Sequence, residues 1–264
     1  MSDSGPGPEG RLAGTGQPGS LRRLNLAVAA AHLVQAVVLV LLAEAVSLPV
    51  DARYLTNAPG AGEYGGPDAL FDLRIDWIIA IFFILAFVDH FSVATWGRRW
   101  YERQVAHGIN PARWWEYSVS ASLMVVVIAM LAGLTDAAAL IAIFGANAAM
   151  ILFGLIMERT NLGREGVDWR PFVYGCIIGA VPWLAIGLQL AVADANSDVP
   201  TFVLVIFLTL LVLFSSFAVN MWLQYRGRGR WGEPVFAEKA YLWLSLVAKS
   251  VLAWQVYAGA LAGS

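Results

Sequence analysis

The sequence predicts an all-α membrane protein, a bundle of seven transmembrane helices with the N-terminus in the cytoplasm. Three observations predict it. Hydrophobic residues make up 59% of the 264 positions and charged residues only 14%, against about 25% charge in a typical soluble domain. Seven apolar runs are each long enough to cross a bilayer core, which takes about 20 residues. The arginines and lysines are concentrated on alternate links between those runs.

Residues 1–20 are mostly Gly, Pro, Ser and other small or polar types. Such a segment buries too little apolar surface to offset its chain entropy, so it reads as a disordered tail. The membrane domain then covers 21–264. Arg22 and Arg23 precede an apolar run over 24–46. That run exceeds the h-region of a signal peptide, about 7–15 residues, and is read as a retained first span. The seven spans are placed at 24–47, 75–96, 113–134, 137–158, 171–193, 201–224 and 239–262. Lipid satisfies no backbone hydrogen bonds, so each must be helical. The links are short except for 48–74, where Pro49, Asn57, Gly60, Gly65, Gly66 and Pro67 mark turns and Val50–Thr56 reads as a short strand. With the N-terminus inside, the cytoplasmic segments hold 14 of the 17 basic residues, the outer ones hold Arg53 and Arg74, and Lys249 lies within a span. That asymmetry sets the orientation, with the C-terminus outside. The net charge of −2 gives no sign of a nucleic-acid partner, and the single cysteine, Cys176, excludes an internal disulfide and reads as a packing residue.

An ionisable side chain within a span costs several kcal/mol unless paired or hydrated, so each is a functional candidate. Lys249 lies about ten residues into the seventh span, or about 15 Å of helical rise. It reads either as half of a structural ion pair or as an amine that condenses with an aldehyde. A cationic nitrogen in an apolar site requires an anion nearby. Glu116, in Arg113-Trp114-Trp115-Glu116-Tyr117, is the carboxylate best placed to supply it; the alternative is an interfacial acid paired with Arg113. Ser245 precedes Lys249 by one helical turn on the same face. His32, Gln35, Asp89 and His90 fall in the same half of the bundle and suggest a polar pocket, though a lone intramembrane histidine is often a hydrogen-bonded packing residue. Asn147 reads as an interhelical hydrogen bond or as a polar contact to a ligand. Trp183, Phe214 and Trp254 lie deep enough to clamp a flat apolar ligand or to serve as core, and Pro182 removes a backbone hydrogen bond beside Trp183. Glu44 and Asp76 read as solvated acids at outer span ends, and Glu158 as an inner-end acid beside Arg159.

These residues resemble the heliorhodopsin family along the whole seven-helix region. The resemblance rests on Arg113-Trp114-Trp115-Glu116-Tyr117, on Ser245-Leu246-Val247-Ala248-Lys249-Ser250 with Ala253-Trp254-Gln255, and on Val88-Asp89-His90. It implies a rhodopsin-like bundle in which Lys249 carries all-trans retinal as a Schiff base and Glu116 is its counterion. It further implies that His32, His90 and Ser245 form the adjoining polar network. Asn147 and Phe214 look like pocket residues by the same resemblance, and Tyr117, Trp183 and Trp254 are counted with them as candidate lining. It implies a homodimer in the cell membrane whose first extracellular loop is partly β. The expected function is light sensing without enzymatic activity, with output to a cytoplasmic partner and with no metal. A light-driven proton pump is the nearest alternative. The segments 117–134, 171–193, 201–224 and 250–262 hold no carboxylate on the outer side of Lys249, which argues against net transport. A transporter gated by a Lys–Glu pair without chromophore is a second alternative, and a structural membrane protein without a ligand a third.

Overall fold

The computed structural model describes residues 18–261, so residues 1–17 of the expected tail, and the last residue of the seventh expected span, lie outside the described residues. The chain forms α1 (Pro18–Leu42), β1 (Ser47–Leu55), β2 (Tyr64–Arg74), α2 (Ile75–Ala94), α3 (Arg98–Ala106), α4 (Pro111–Leu131), α5 (Ala137–Thr160), α6 (Arg170–Asn196), α7 (Thr201–Tyr225) and α8 (Pro234–Val256), with a short 3-10 turn at Gly229–Gly232 and a π turn at Tyr257–Leu261. Seven of the eight α-helices are long and apolar enough to cross a membrane; α3 is not.

Local chemistry sets the ends. Asn110 caps α4 by accepting from Arg113 N, with Pro111 just inside the helix where its missing N–H costs nothing. Asp136 caps α5 by accepting from Ala139 N. The α5–α6 link is folded onto itself: Asn161 Nδ2 donates to Asp168 O, and Asn161 Oδ1 accepts from Asp168 N. Hydrogen bonds from the Arg170 side chain, 2.5–3.1 Å, and from its backbone pull the Asp168 carboxyl down to about 2. A depressed folded-state pKa stabilises above the ordinary aspartate value and is lost as pH falls through the folded one. Protection of residues 161–169 from pepsin is therefore expected to persist at pH 3 and fail near pH 2, whereas Asp168→Asn fails already at pH 3. Equal cleavage of the two proteins at pH 3 would count against this anchor.

Alternate helices run in opposite directions, so the starts of α1, α4, α6 and α8 share one end of the bundle with α3, and the β-hairpin caps the other. α4 is central: 67% of its apolar window is buried, against 17% for α7. Large side chains left exposed, such as Leu41, Ile141, Leu184 and Val212, form outward apolar faces suited to lipid. α5 and α6 approach closely because Gly175 and Gly179 face Phe153 and Met150; a Cβ on Gly179 would lie 2.4 Å from Met150 Sδ.

Two links hold more structure than the sequence showed, and one acid changes its reading. The link 97–112 is not a plain loop but contains α3, whose Tyr101 and Val105 are buried while its charges face outward. The strand foreseen at Val50–Thr56 is one half of an antiparallel hairpin that pairs Ser47 with Arg74 and Leu55 with Tyr64. It is fastened to the α4–α5 turn by Asp51 N to Thr135 O at 3.0 Å and Thr135 Oγ1 to Asp51 Oδ2 at 2.6 Å. Asp76 is buried rather than solvated, because Arg74 folds over it with contacts of 2.9 and 2.6 Å.

Candidate functional site

Lys249 projects from the middle of α8 and is 2% exposed. Its Nζ lies 3.3 and 3.5 Å from the two carboxylate oxygens of Glu116, and it donates to Ser245 Oγ at 2.9 Å. It also stands 4.9 Å above the Tyr117 ring, whose hydroxyl is fixed by a 3.1 Å hydrogen bond to Tyr241 O. Glu116 is five residues into α4, and Lys249 fifteen into α8. The lysine closes the axial gap because helical side chains lean toward the N-terminus. Glu116 is thus held by Lys249, while Arg113, its alternative partner, turns to other acids. A charge pair this dry persists only when each member answers the other, since an unpaired buried ion costs several kcal/mol.

From Lys249 a cavity of about 820 Å³ opens between α4, α5, α6, α7 and α8. Small-molecule sites occupy about 300–1,000 Å³ and are mostly apolar. Of the residues singled out in the sequence, Lys249, Ser245, Tyr117, Trp183 and Phe214 line this cavity. Trp183 packs edge-on to Phe214 at 5.4 Å and near Phe207 at 5.8 Å, giving the far wall flat aromatic surfaces. Gly154 leaves room for the Trp114 ring at the near end, where a Cβ would lie 2.4 Å from that ring. Cys176, read as a packing residue, also faces the cavity.

The remaining candidates are placed elsewhere. His32 and His90 are fully buried outside the cavity wall, stacked on each other at 5.8 Å, with His32 also against Phe83 at 5.6 Å. Both lie within reach of the Lys249 charge. Asn147 does not line the cavity either; its Nδ2 donates to Ser122 Oγ at 3.1 Å, the interhelical bond weighed as one of its two readings. Trp254 is a correction: it is 36% exposed on the outside of α8, and its Nε1 donates to Gln35 Oε1 at 3.1 Å. Five residues along a helix is about 500°, which turns it well away from Lys249.

A second buried charge cluster escaped the sequence analysis. The Arg113 guanidinium forks between Glu158 of α5 and Glu238 of α8, and these three side chains are at most 5% exposed. Asn110 donates its N–H to Glu158 at 2.7 Å and its side-chain amide to Glu238 at 2.8 Å. The guanidinium also lies 3.9 Å over the Tyr241 ring. The cluster clamps α4, α5 and α8 at the end opposite the hairpin, one layer from Lys249. The sequence placed Glu158 beside Arg159, and no spacing rule links it to residues 45 and 80 positions away on other helices.

The sequence model of the heliorhodopsin family matches residues 21–261. The chain belongs to the heliorhodopsin family. The matched region takes in all seven of the long apolar helices. The fold of this heliorhodopsin-family chain is also similar to a solved microbial rhodopsin structure, the crystal structure of a light-driven proton pump, LR (Mac), from Leptosphaeria maculans, at a TM-score of 0.64 and 18% identity over 90% of this chain and 95% of that one. Among curated proteins no match was found.

Proposed function

We propose that this heliorhodopsin-family chain is a light sensor that holds retinal on Lys249 with Glu116 as counterion, and that it performs no net ion pumping. One observation carries the reading: the amine of Lys249 is buried, 3.3 Å from a carboxylate, at the wall of an apolar cavity large enough for a polyene. Family membership supports retinal as the occupant, and the residues present fit it: a dry amine, an anion, a hydroxyl acceptor and aromatic walls. When bound, all-trans retinal would supply visible absorption and a double bond that isomerises in light.

The chain's own residues do the rest. Glu116 holds the positive charge at the Lys249 nitrogen, and Ser245 Oγ accepts from it. The Tyr117 ring covers the nitrogen, and Trp183 with Phe214 confines motion at the far wall. When the nitrogen turns away from Glu116 its proton is less well held, and the His32–His90 pair offers basic atoms on the same side of the bundle. On the hairpin side of Lys249, residues 117–134, 171–193, 201–224 and 250–261 contain no carboxylate, so a released proton meets no acidic relay on α4, α6, α7 or α8 leading that way. This arrangement favours transient storage and return. The charge bias supports a cytoplasmic position for the end bearing α3 and the Arg113 cluster, where the exposed Arg226–Arg230 turn would meet a signalling partner; a homodimer in the cell membrane is part of the same reading.

Two measurements test it. Glu116→Gln is expected to move the visible band to longer wavelength, because the carboxylate stabilises a charge localised at nitrogen more than the delocalised excited state. An unchanged band would remove Glu116 from the counterion role. Under continuous light, membranes carrying the protein are expected to give only a transient charge signal; a steady photocurrent would establish transport instead.

A further inference from the structure

The Arg113 cluster and the histidine pair are joined by an unbroken hydrogen-bond line that the proposed photochemistry has not used. His90 Nδ1 is 2.9 Å from Asn25 Oδ1. Asn25 Nδ2 is 3.0 Å from Leu21 O and 3.3 Å from Tyr101 Oη. Tyr101 Oη is 3.1 Å from Glu238 Oε1, and Glu238 is paired with Arg113. Asn25, His90, Tyr101 and Glu238 are each at least 96% buried, so water does not compete for these positions.

The direction of every bond in this line is fixed by chemistry. Leu21 O is a backbone carbonyl and only accepts, so the Asn25 atom facing it is the amide nitrogen. That places Oδ1, which only accepts, against His90. Its partner there must donate, so His90 Nδ1 carries the hydrogen. Glu238, held as a carboxylate by Arg113, takes the hydroxyl hydrogen of Tyr101, which leaves the Tyr101 oxygen to accept the second Asn25 hydrogen. A neutral His90 therefore has no hydrogen on Nε2, and that atom is buried without a hydrogen-bond partner among the described residues.

We infer that Asn25, backed by Tyr101 and Glu238, is a positioning residue that locks His90 in the Nδ1–H tautomer and so makes Nε2 the bare basic atom of that ring. The inference deepens the proposed function, because it fixes which atom of His90 is open to a proton released near Lys249 and names the residue that prepares it. A free imidazole favours the other tautomer, so the lock has a spectroscopic signature. It is a property of the polypeptide and is present whether or not retinal is bound.

The test is nitrogen-15 NMR of histidine-labelled full-length protein in lipid, at neutral pH, with and without retinal. His90 is assigned by its loss in His90→Gln. The expected result is a neutral ring protonated at Nδ1 in both samples. Asn25→Leu is expected to release the ring to mainly Nε2–H, and Asn25→Asp, whose carboxylate still accepts, to retain Nδ1–H. Tyr101→Phe is expected to keep the tautomer, since Leu21 O alone still orients the amide. After a flash, Asn25→Leu is expected to slow the rise of the signal that reports proton uptake by histidine, while its dark colour is kept. Nε2–H or a doubly protonated ring in the unaltered protein would overturn the inference, as would an unchanged tautomer in Asn25→Leu. A colourless protein with the Nδ1–H tautomer would instead refute the retinal reading and leave the lock standing.

Discussion

Lys249→Ala is expected to remain colourless when retinal is added, while the unaltered protein develops a visible band. Lys249 supplies the amine at the cavity wall, and the only other lysine of the chain, Lys239, lies ten residues and about 15 Å earlier on the same helix. Removing the lysine also strands Glu116, and an unpaired buried charge destabilises by about 3–5 kcal/mol, so loss of colour alone could come from loss of fold. Lys249→Arg separates the two. The guanidinium keeps a cation opposite Glu116 but does not condense with an aldehyde under ordinary conditions. Lys249→Arg is expected to keep helical circular dichroism and a cooperative melt in detergent, and to be as colourless as the alanine variant. A visible band in either variant would place the chromophore elsewhere.

Arg113→Met is the second large effect. It leaves Glu158 and Glu238 facing each other's charge in a site at most 5% exposed. Breaking a buried ion pair on one side costs about 3–5 kcal/mol, and here one guanidinium serves two carboxylates on two helices. The melting temperature should fall well below that of the unaltered protein. Arg113→Lys should fall between them, because an ammonium restores the charge but not the planar fork that reaches both acids at once. The combination Arg113→Met with Glu158→Gln and Glu238→Gln should recover most of the loss, since no unpaired charge remains. A change below about 1 kcal/mol, the scale of an exposed ion pair, would mean that the cluster is hydrated and does not clamp α4, α5 and α8.

The spans and the Lys249–Glu116 pair were legible for the same reason. Lipid forbids exposed backbone and unpaired charge, so long apolar runs and rare intramembrane ions stand out in the sequence. The hairpin was half legible: Val50 and its neighbours carry a strand signal, but β2 contains Gly65, Gly66 and Pro67 and reads as a turn. Gly65 pairs with Tyr54 because β1 supplies the partner, while Gly66 and Pro67 fall in a register shift of the hairpin. Helix α3 was hidden by its short length and by a charged face that looks like loop. Arg113 and Glu158 were visible one by one, Glu238 was not singled out, and the meeting of the three depends on how α5 and α8 pack against α4. Trp254 was misplaced by reasoning from depth alone; its angular position, 500° from Lys249, was available from the helical repeat. Asn147 and the histidines illustrate the opposite limit, since burial was foreseeable but the face they occupy was not.

Covalent trapping locates the retinal-bearing nitrogen without relying on colour. The retinal-loaded protein would be reduced with borohydride, digested and analysed by mass spectrometry. A retinyl group is expected on the peptide that contains Lys249, in near-stoichiometric amount, and none on the peptide with Lys239. Label on Lys239, or protein that takes up retinal yet carries no label after reduction, would contradict it.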